Sequence, residues 1–222
     1  MITPGDLAAD DQGLPLAEQV YRRLRAEIRA GDLRSGHRLK EMELAARLRV
    51  SRTPIREAVR RLVSEGLVEV VAARGMAITT LDRQKVRELY ALREALEGTA
   101  ARMAAQHASP GDLATMRSIL DAWRAMDDPA EIARRNRQFH EAIRDAAHNG
   151  YLEQALTQLS NSLALLPGTT FELPGRAAEA HEEHLAMLRA IEERDSDAAD
   201  AKARGHIAQA GQARFRIMFG AV

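Results

Sequence analysis

Along the first eighty residues the apolar positions change period twice. Leu16, Val20, Leu24 and Ile28 recur every four residues, the stripe of one amphipathic helix, and Gly31 follows where a glycine cap would end it. The segment 32–39 has no period, holds Gly36, and is predicted as a turn. A short helix is expected from about Glu41, with Leu44 and Leu48 turned inward. Thr53-Pro54 pairs a capping hydroxyl with a proline where no N–H is needed, which predicts another helix start; Ile55, Ala58, Val59 and Leu62 form its inner face, and Gly66 ends it. Residues 67–71 and 76–80 are then short and rich in β-branched side chains, with Gly75 at the turn between them, the pattern of a hairpin. Helix, helix, helix and hairpin in succession is the plan of a winged helix-turn-helix.

From Asp82, a plausible N-cap, the pattern is helical throughout, with helices expected near 83–107, 111–126, 130–147, 150–166, 177–194 and 196–219. The breaks fall at Ser109-Pro110-Gly111, Asp127-Asp128-Pro129, Asn149-Gly150 and a long loop, 167–175, holding two prolines and two glycines. Residues 1–13 lack periodicity and read as a disordered leader. The expected fold is therefore mainly α: a leader at 1–13, a winged helix-turn-helix at 14–81, and an all-helical bundle at 82–222.

Composition narrows the chemistry. The chain has no cysteine, which excludes disulfides, thiolate metal sites and cysteine nucleophiles, so a metal could be held only by His, Asp, Glu, Asn or water. No stretch is apolar enough for a membrane span, and the opening residues do not form a secretory signal, so a cytoplasmic protein without a membrane partner is expected. The net charge of zero conceals a split: residues 1–13 carry −3, residues 14–80 carry +6 from 14 bases and 8 acids, and residues 81–222 carry −3. All the bases of the middle block except Lys40 are arginines, the side chain best suited to forking onto phosphates and guanine edges.

In a helix-turn-helix the leading end of the second helix enters the major groove. Here that end presents Arg52, Arg56 and Arg60, with the hydroxyls of Ser51 and Thr53 suited to phosphates. Arg38 in the preceding turn is a further phosphate candidate, and Arg74 and Gly75 stand at the wing tip, where backbone can approach a minor groove. A merely solvated helix face would show similar charges; the adjoining hairpin and the +6 block favour DNA.

In the second module, Asn136 and His140 lie four apart on one expected helix, and His184 and His206 lie on two others. Helices of a bundle can bring such side chains together, and three imidazoles with one oxygen donor suit zinc, nickel or manganese. Ordinary core histidines would have the same spacing, and His181 competes with His184 on the same helix. An enzyme on this scaffold, a mononuclear metal hydrolase, is the alternative. It lacks a general base at Asn136, and no histidine has a Glu three positions earlier as a di-metal bundle requires.

The stretch Val50-Ser51-Arg52-Thr53-Pro54-Ile55-Arg56-Glu57-Ala58, with the wing glycine Gly75, closely resembles the GntR family of bacterial transcriptional regulators. One departure is Ser35, where the family has a proline before the turn glycine. Asn136-Arg137-Gln138-Phe139-His140, Glu183-His184, His206 and Leu92-Arg93-Glu94-Ala95-Leu96-Glu97 resemble the FCD effector domain of the FadR subfamily. The resemblance implies DNA contact by Arg38, Arg52, Thr53, Arg56 and Gly75. It implies a divalent metal on Asn136, His140, His184 and His206, with Asn136 standing where the family has Asp. It further implies a homodimer on a palindromic double-stranded operator, usually as a repressor, answering to a small organic acid. Arg93 is a candidate second anchor for that acid, or else a helix ion pair with Glu97.

Overall fold

The computed structural model describes residues 13–71, 75–124 and 126–220. The leader expected at 1–13 and Arg74 of the wing tip therefore lie outside the described residues, apart from Gly13. The elements run α1 (Leu16–Ala30), β1 (Arg38–Leu39), α2 (Glu41–Leu48), α3 (Arg52–Ser64), β2 (Val68–Val71), β3 (Gly75–Ile78), α4 (Arg83–His107), α5 (Pro110–Trp123), α6 (Pro129–Ala146), α7 (Gly150–Leu163), a 3₁₀ turn (Thr170–Glu172), α8 (Arg176–Glu192) and α9 (Ser196–Phe219). The mainly helical architecture expected from the sequence is the one observed.

The chain forms two compact units. The first runs to Leu81 and also takes in Ser160–Pro167; the second comprises Asp82–Leu159 and the chain from Gly168 onward. The expected division at 81/82 is thus joined by two further crossings within what reads as one helical module. Leu165 belongs to the core of the first unit, and Asn161 accepts a hydrogen bond from Arg25 of α1 at 2.5 Å.

In the first unit Val20, Leu24 and Ile28 are buried as the stripe predicts, whereas Leu16 at its start is exposed. Gly31 takes the left-handed cap conformation at φ 81°, and its N–H returns to the last turn of α1. Ile55, Ala58, Val59 and Leu62 of α3 pack with them. Two local expectations need correction. The turn at 32–39 ends in a strand, because Arg38 and Leu39 pair antiparallel with Ala77 and Met76; the sheet has three strands in the order β1-β3-β2. A two-residue strand is too short to show a period. The N-cap of α3 is Ser51, and it makes no side-chain capping bond; Pro54 falls third in the helix, where an N–H would still lack an intrahelical partner.

The second unit packs α4 antiparallel against α9. Gly211 lets the Tyr90 ring lie where a Cβ would come within 2.9 Å of it, and Gly98 meets Asp200 Oδ1 at 2.6 Å from the same imagined atom. Alanines 100, 101, 104 and 105 of α4 continue this close approach into a core of Met116, Leu120, Trp123, Phe139, Ile143 and Ile191. The helix starts are well made: Ser109 and Asp112 form a reciprocal capping box on α5, and Asp82, Asp128 and Asp195 cap α4, α6 and α9. The 3₁₀ turn packs on α6, α8 and α9. Among the described residues no helix is long and apolar enough to cross a membrane.

Candidate metal centre and nucleic-acid interface

Within the helical unit, α6, α8 and α9 bring His140, His184 and His206 together, so that one ligand nitrogen from each lies within 4.8 Å of the others. His206 Nε2 stands 3.2 Å from His140 Nε2 and 3.2 Å from His184 Nε2. Two nitrogens on a tetrahedral ion with bonds of about 2.0–2.1 Å are about 3.3 Å apart, so both separations fit a shared ion.

The outer nitrogens fix the tautomers. His140 Nδ1 lies 2.5 Å from Glu97 Oε2, and His206 Nδ1 lies 2.6 Å from Glu183 Oε2. An ionised carboxylate only accepts, so both Nδ1 atoms carry a proton and both rings turn Nε2 toward the centre. The Nε2 of His206 thus faces an imidazole nitrogen on either side at 3.2 Å, an arrangement that a shared cation satisfies. The ring of His184 has a buried Nδ1 without a partner, and Asn136, one turn before His140 on α6, has a buried Oδ1 without a partner. These orphaned atoms and the donor set fit a divalent ion on three imidazoles, with an amide oxygen available beside them.

Each carboxylate is backed by a buried arginine. Arg93 Nε donates to Glu97 Oε1 at 2.8 Å, and Arg176 donates to both oxygens of Glu183 at 2.9 and 2.8 Å. The result is two parallel relays, Arg93–Glu97–His140 and Arg176–Glu183–His206, closing on one point. Burial by itself would raise the Glu97 pKa, but the neighbouring His140 and Arg93 outweigh it and hold the carboxyl well below its usual range. Glu183 is likewise held down, with burial opposed by His206 and Arg176. Burial first, then the neighbouring imidazoles, pushes His184 well below 6.5; burial, against the pull of Glu183, lowers His206 to about 4. Both rings are therefore neutral at neutral pH. Phe139 and Trp123 wall His184 at ring-centroid distances of 4.7 and 5.1 Å, and Phe171 of the 3₁₀ turn meets Trp123 edge-on.

Of the expected residues, His140, His184 and His206 come together. Asn136 lies in the adjoining turn of α6 with its oxygen buried. His181, the competing histidine, instead lies 3.1 Å from the Leu120 carbonyl. Arg93 is buried and ion-paired with Glu97, behind the histidines. Sequence reasoning missed Glu97 as a histidine partner, Glu183 and Arg176. The spacing 176 to 183, two helical turns on one face, and the adjacency of Glu183 to His184 were the available signals.

In the first unit, Ser51, Arg52, Thr53, Arg56 and Arg60 are exposed along the leading end and outer face of α3. Arg38 is exposed on β1, and Gly75 opens β3 at φ 75°. Arg52 and Arg56 both reach the same carboxylate oxygen of Glu41 at the start of α2, at 3.4 and 2.9 Å. Glu41 was not foreseen; its partners are eleven and fifteen residues away, beyond any helical period.

Comparison with known proteins matches both units. The description "Bacterial regulatory proteins, gntR family" matches residues 16–78, and "FCD domain" matches residues 88–209. The Nta operon transcriptional regulator of Aminobacter aminovorans is 30% identical over 194 residues, covering 85% of this chain and 90% of its own. The probable D-xylose utilization operon transcriptional repressor of Paenarthrobacter nicotinovorans is 31% identical over 200 residues, covering 87% and 86%. The solved structure of E. coli McbR/YncC aligns over 88% of this chain and 95% of that one, with a TM-score of 0.74 at 26% identity. These families and relatives are transcriptional regulators and not enzymes, and with both of its units matched the chain belongs to the GntR family of bacterial regulatory proteins, in the FadR-like branch that carries an FCD domain.

Proposed function

We propose that the protein is a cytoplasmic, homodimeric, ligand-responsive repressor that binds a palindromic operator and releases or retains it according to a small organic acid held at the three-histidine centre. The observation that carries the effector half is the convergence of three imidazole nitrogens, two of them, on His140 and His206, oriented by a carboxylate on the ring's other nitrogen. His140, His184 and His206 would hold a divalent ion, zinc, nickel or manganese, with the Asn136 oxygen as a weak fourth ligand. When bound, such an ion supplies a fixed positive charge for a carboxylate. The protein's contribution is neutral ligands and balanced relays: each buried arginine is matched by one glutamate, so the ion's charge is left uncancelled. Arg93 acts in the first instance on Glu97, and secondarily as a positive charge near the acid.

The DNA half rests on the exposed arginines of α3, with Arg38, Ser51, Thr53, Gly75 and Arg74 contacting backbone around them. One winged module spans few base pairs, so a two-fold dimer on a palindrome supplies the required specificity. A relative's description as an operon repressor supports the repressive sense.

The test is a thermal-shift panel on purified protein with and without chelator, using zinc, nickel and manganese salts, then sugar acids, dicarboxylates and neutral sugars. Metal followed by acid should raise the melting temperature in steps, and the effective acid should change affinity for a selected operator by a coupling of about 1–3 kcal/mol. Metal-independent stabilisation by neutral sugars alone would overturn the effector assignment. Sedimentation of the full chain should give a dimer, and a monomer at micromolar concentration would overturn the dimer.

A further inference from the structure

Resting on the DNA-binding reading above, we infer that Glu41 is a specificity-determining residue of the α3 face: a built-in competitor that holds Arg52 and Arg56 away from phosphates and yields them to the right bases. The juxtaposition is specific. A single carboxylate oxygen at the first position of α2 receives Arg56 Nε at 2.9 Å and Arg52 Nη2 at 3.4 Å, from positions four apart on α3. The Glu41 side chain is 21% exposed, while those of Arg52 and Arg56 are 54% and 52% exposed, so the anion sits beneath two cations that point outward.

This arrangement treats the two kinds of DNA contact differently. A phosphate attracts an arginine through net charge, and Glu41 removes one of the two charges offered by the pair. An arginine that leaves Glu41 for a phosphate also leaves the carboxylate uncompensated in the strongly negative field of the duplex. A guanine edge is a neutral pair of acceptors read by the arginine fork, and it can be engaged while Glu41 keeps the remaining guanidinium hydrogens in place. A carboxylate at this level can also accept from a cytosine amino group in the same groove. Glu41 therefore costs more on random sequence than on the operator. The pair also orders two long side chains before binding, which reduces the conformational entropy lost on the operator.

The test compares the full chain with E41Q on two duplexes: one selected by the wild type from random-sequence DNA, and poly(dA-dT), which offers phosphates without a guanine edge or a cytosine amino group. Binding is measured by anisotropy across a salt series, with melting curves to confirm that both proteins are folded. With one more free cation, E41Q should bind poly(dA-dT) about tenfold more tightly near 0.1 M salt, and its slope of log K against log salt should steepen by about 0.9. Its preference for the selected duplex should fall by a similar factor. In an R52A/R56A background, adding E41Q should change neither quantity. An unchanged preference, an unchanged slope, or an E41Q effect that persists without the two arginines would each overturn the role. If the wild type enriches no sequence at all, the DNA-binding reading itself fails and this inference falls with it.

Discussion

Replacing Glu183 by glutamine keeps the shape of one relay and removes its charge. In the native arrangement Glu183 accepts three hydrogen bonds: two from Arg176, at 2.9 and 2.8 Å, and one from His206 Nδ1 at 2.6 Å. A glutamine amide offers one acceptor and one donor group, so its NH₂ must face either the guanidinium or the imidazole N–H. If it faces the guanidinium, a buried arginine loses half of its fork. If it faces His206, the ring is pressed toward the other tautomer, with its proton on Nε2 and its lone pair turned away from the centre. Breaking a fully buried pair costs about 3–5 kcal/mol; with Glu183 26% exposed, a loss of about 2–3 kcal/mol of stability is expected. Loss of an outer partner typically weakens metal binding about 10–100-fold, about 1.4–2.8 kcal/mol. The two effects separate experimentally. Chelator competition at a temperature where E183Q is folded reads the metal, and denaturant titration of chelator-treated protein reads the relay. E97Q should behave alike, because Glu97 holds His140 in the same way. E182Q, at the exposed neighbouring position, should change neither quantity. Metal affinity of E183Q within twofold of the wild type would refute the tautomer reasoning, whatever happens to stability.

Three further outcomes are expected. N136D should raise metal affinity by placing a carboxylate beside the three imidazoles, and lower affinity for organic acids by reducing the centre's net charge; chelator competition and acid titration check the two halves, and unchanged metal affinity would show that Asn136 does not face the ion. L165A should destabilise the DNA-binding unit by about 2–4 kcal/mol, because this leucine is 7% exposed within that unit's core although 84 residues separate it from Leu81. Circular dichroism should show the loss while the fluorescence of Trp123, in the other unit, reports its own transition; an unmoved melting profile would place residue 165 outside that core. G211A should cost about 1–3 kcal/mol, since the new methyl lies 2.9 Å from the Tyr90 ring and α4 and α9 must part to admit it; denaturant midpoints comparable to the wild type would refute so close a packing.

What could be read from the sequence follows the range of the interactions. Helix existence depends on periods within a few turns, and the stripe from Val20 to Ile28, the inner face of α3 and the capped starts after Asp82 were visible for that reason. Strand β1 was not, because its two residues acquire their conformation from β3, some forty positions later. The assignment of Ser160–Pro167 was hidden in the same way: α7 reads as one continuous helix, and its destination is decided by Arg25, Glu65 and the core around Leu24.

The functional site divides along the same line. Histidines are scarce enough here, seven in 222 residues, that three on separate helices could be singled out without coordinates. Glutamates and arginines are not scarce, and nothing in composition separates Glu97, Glu183, Arg93 and Arg176 from the charges of a solvated face. Burial separates them, because a charge in an apolar bundle persists only with a counter-charge and a use for its remaining hydrogen-bonding capacity. Here both conditions are met by the same pairs: each arginine neutralises a glutamate, and each glutamate fixes the proton of a histidine. Arg52 and Arg56 follow the opposite logic. Exposed on α3, they tolerate release from Glu41 because water can replace it. The relays of the helical unit therefore suit a preorganised binding centre, and the weaker, shared ion pair at Glu41 suits a face that must exchange its partners.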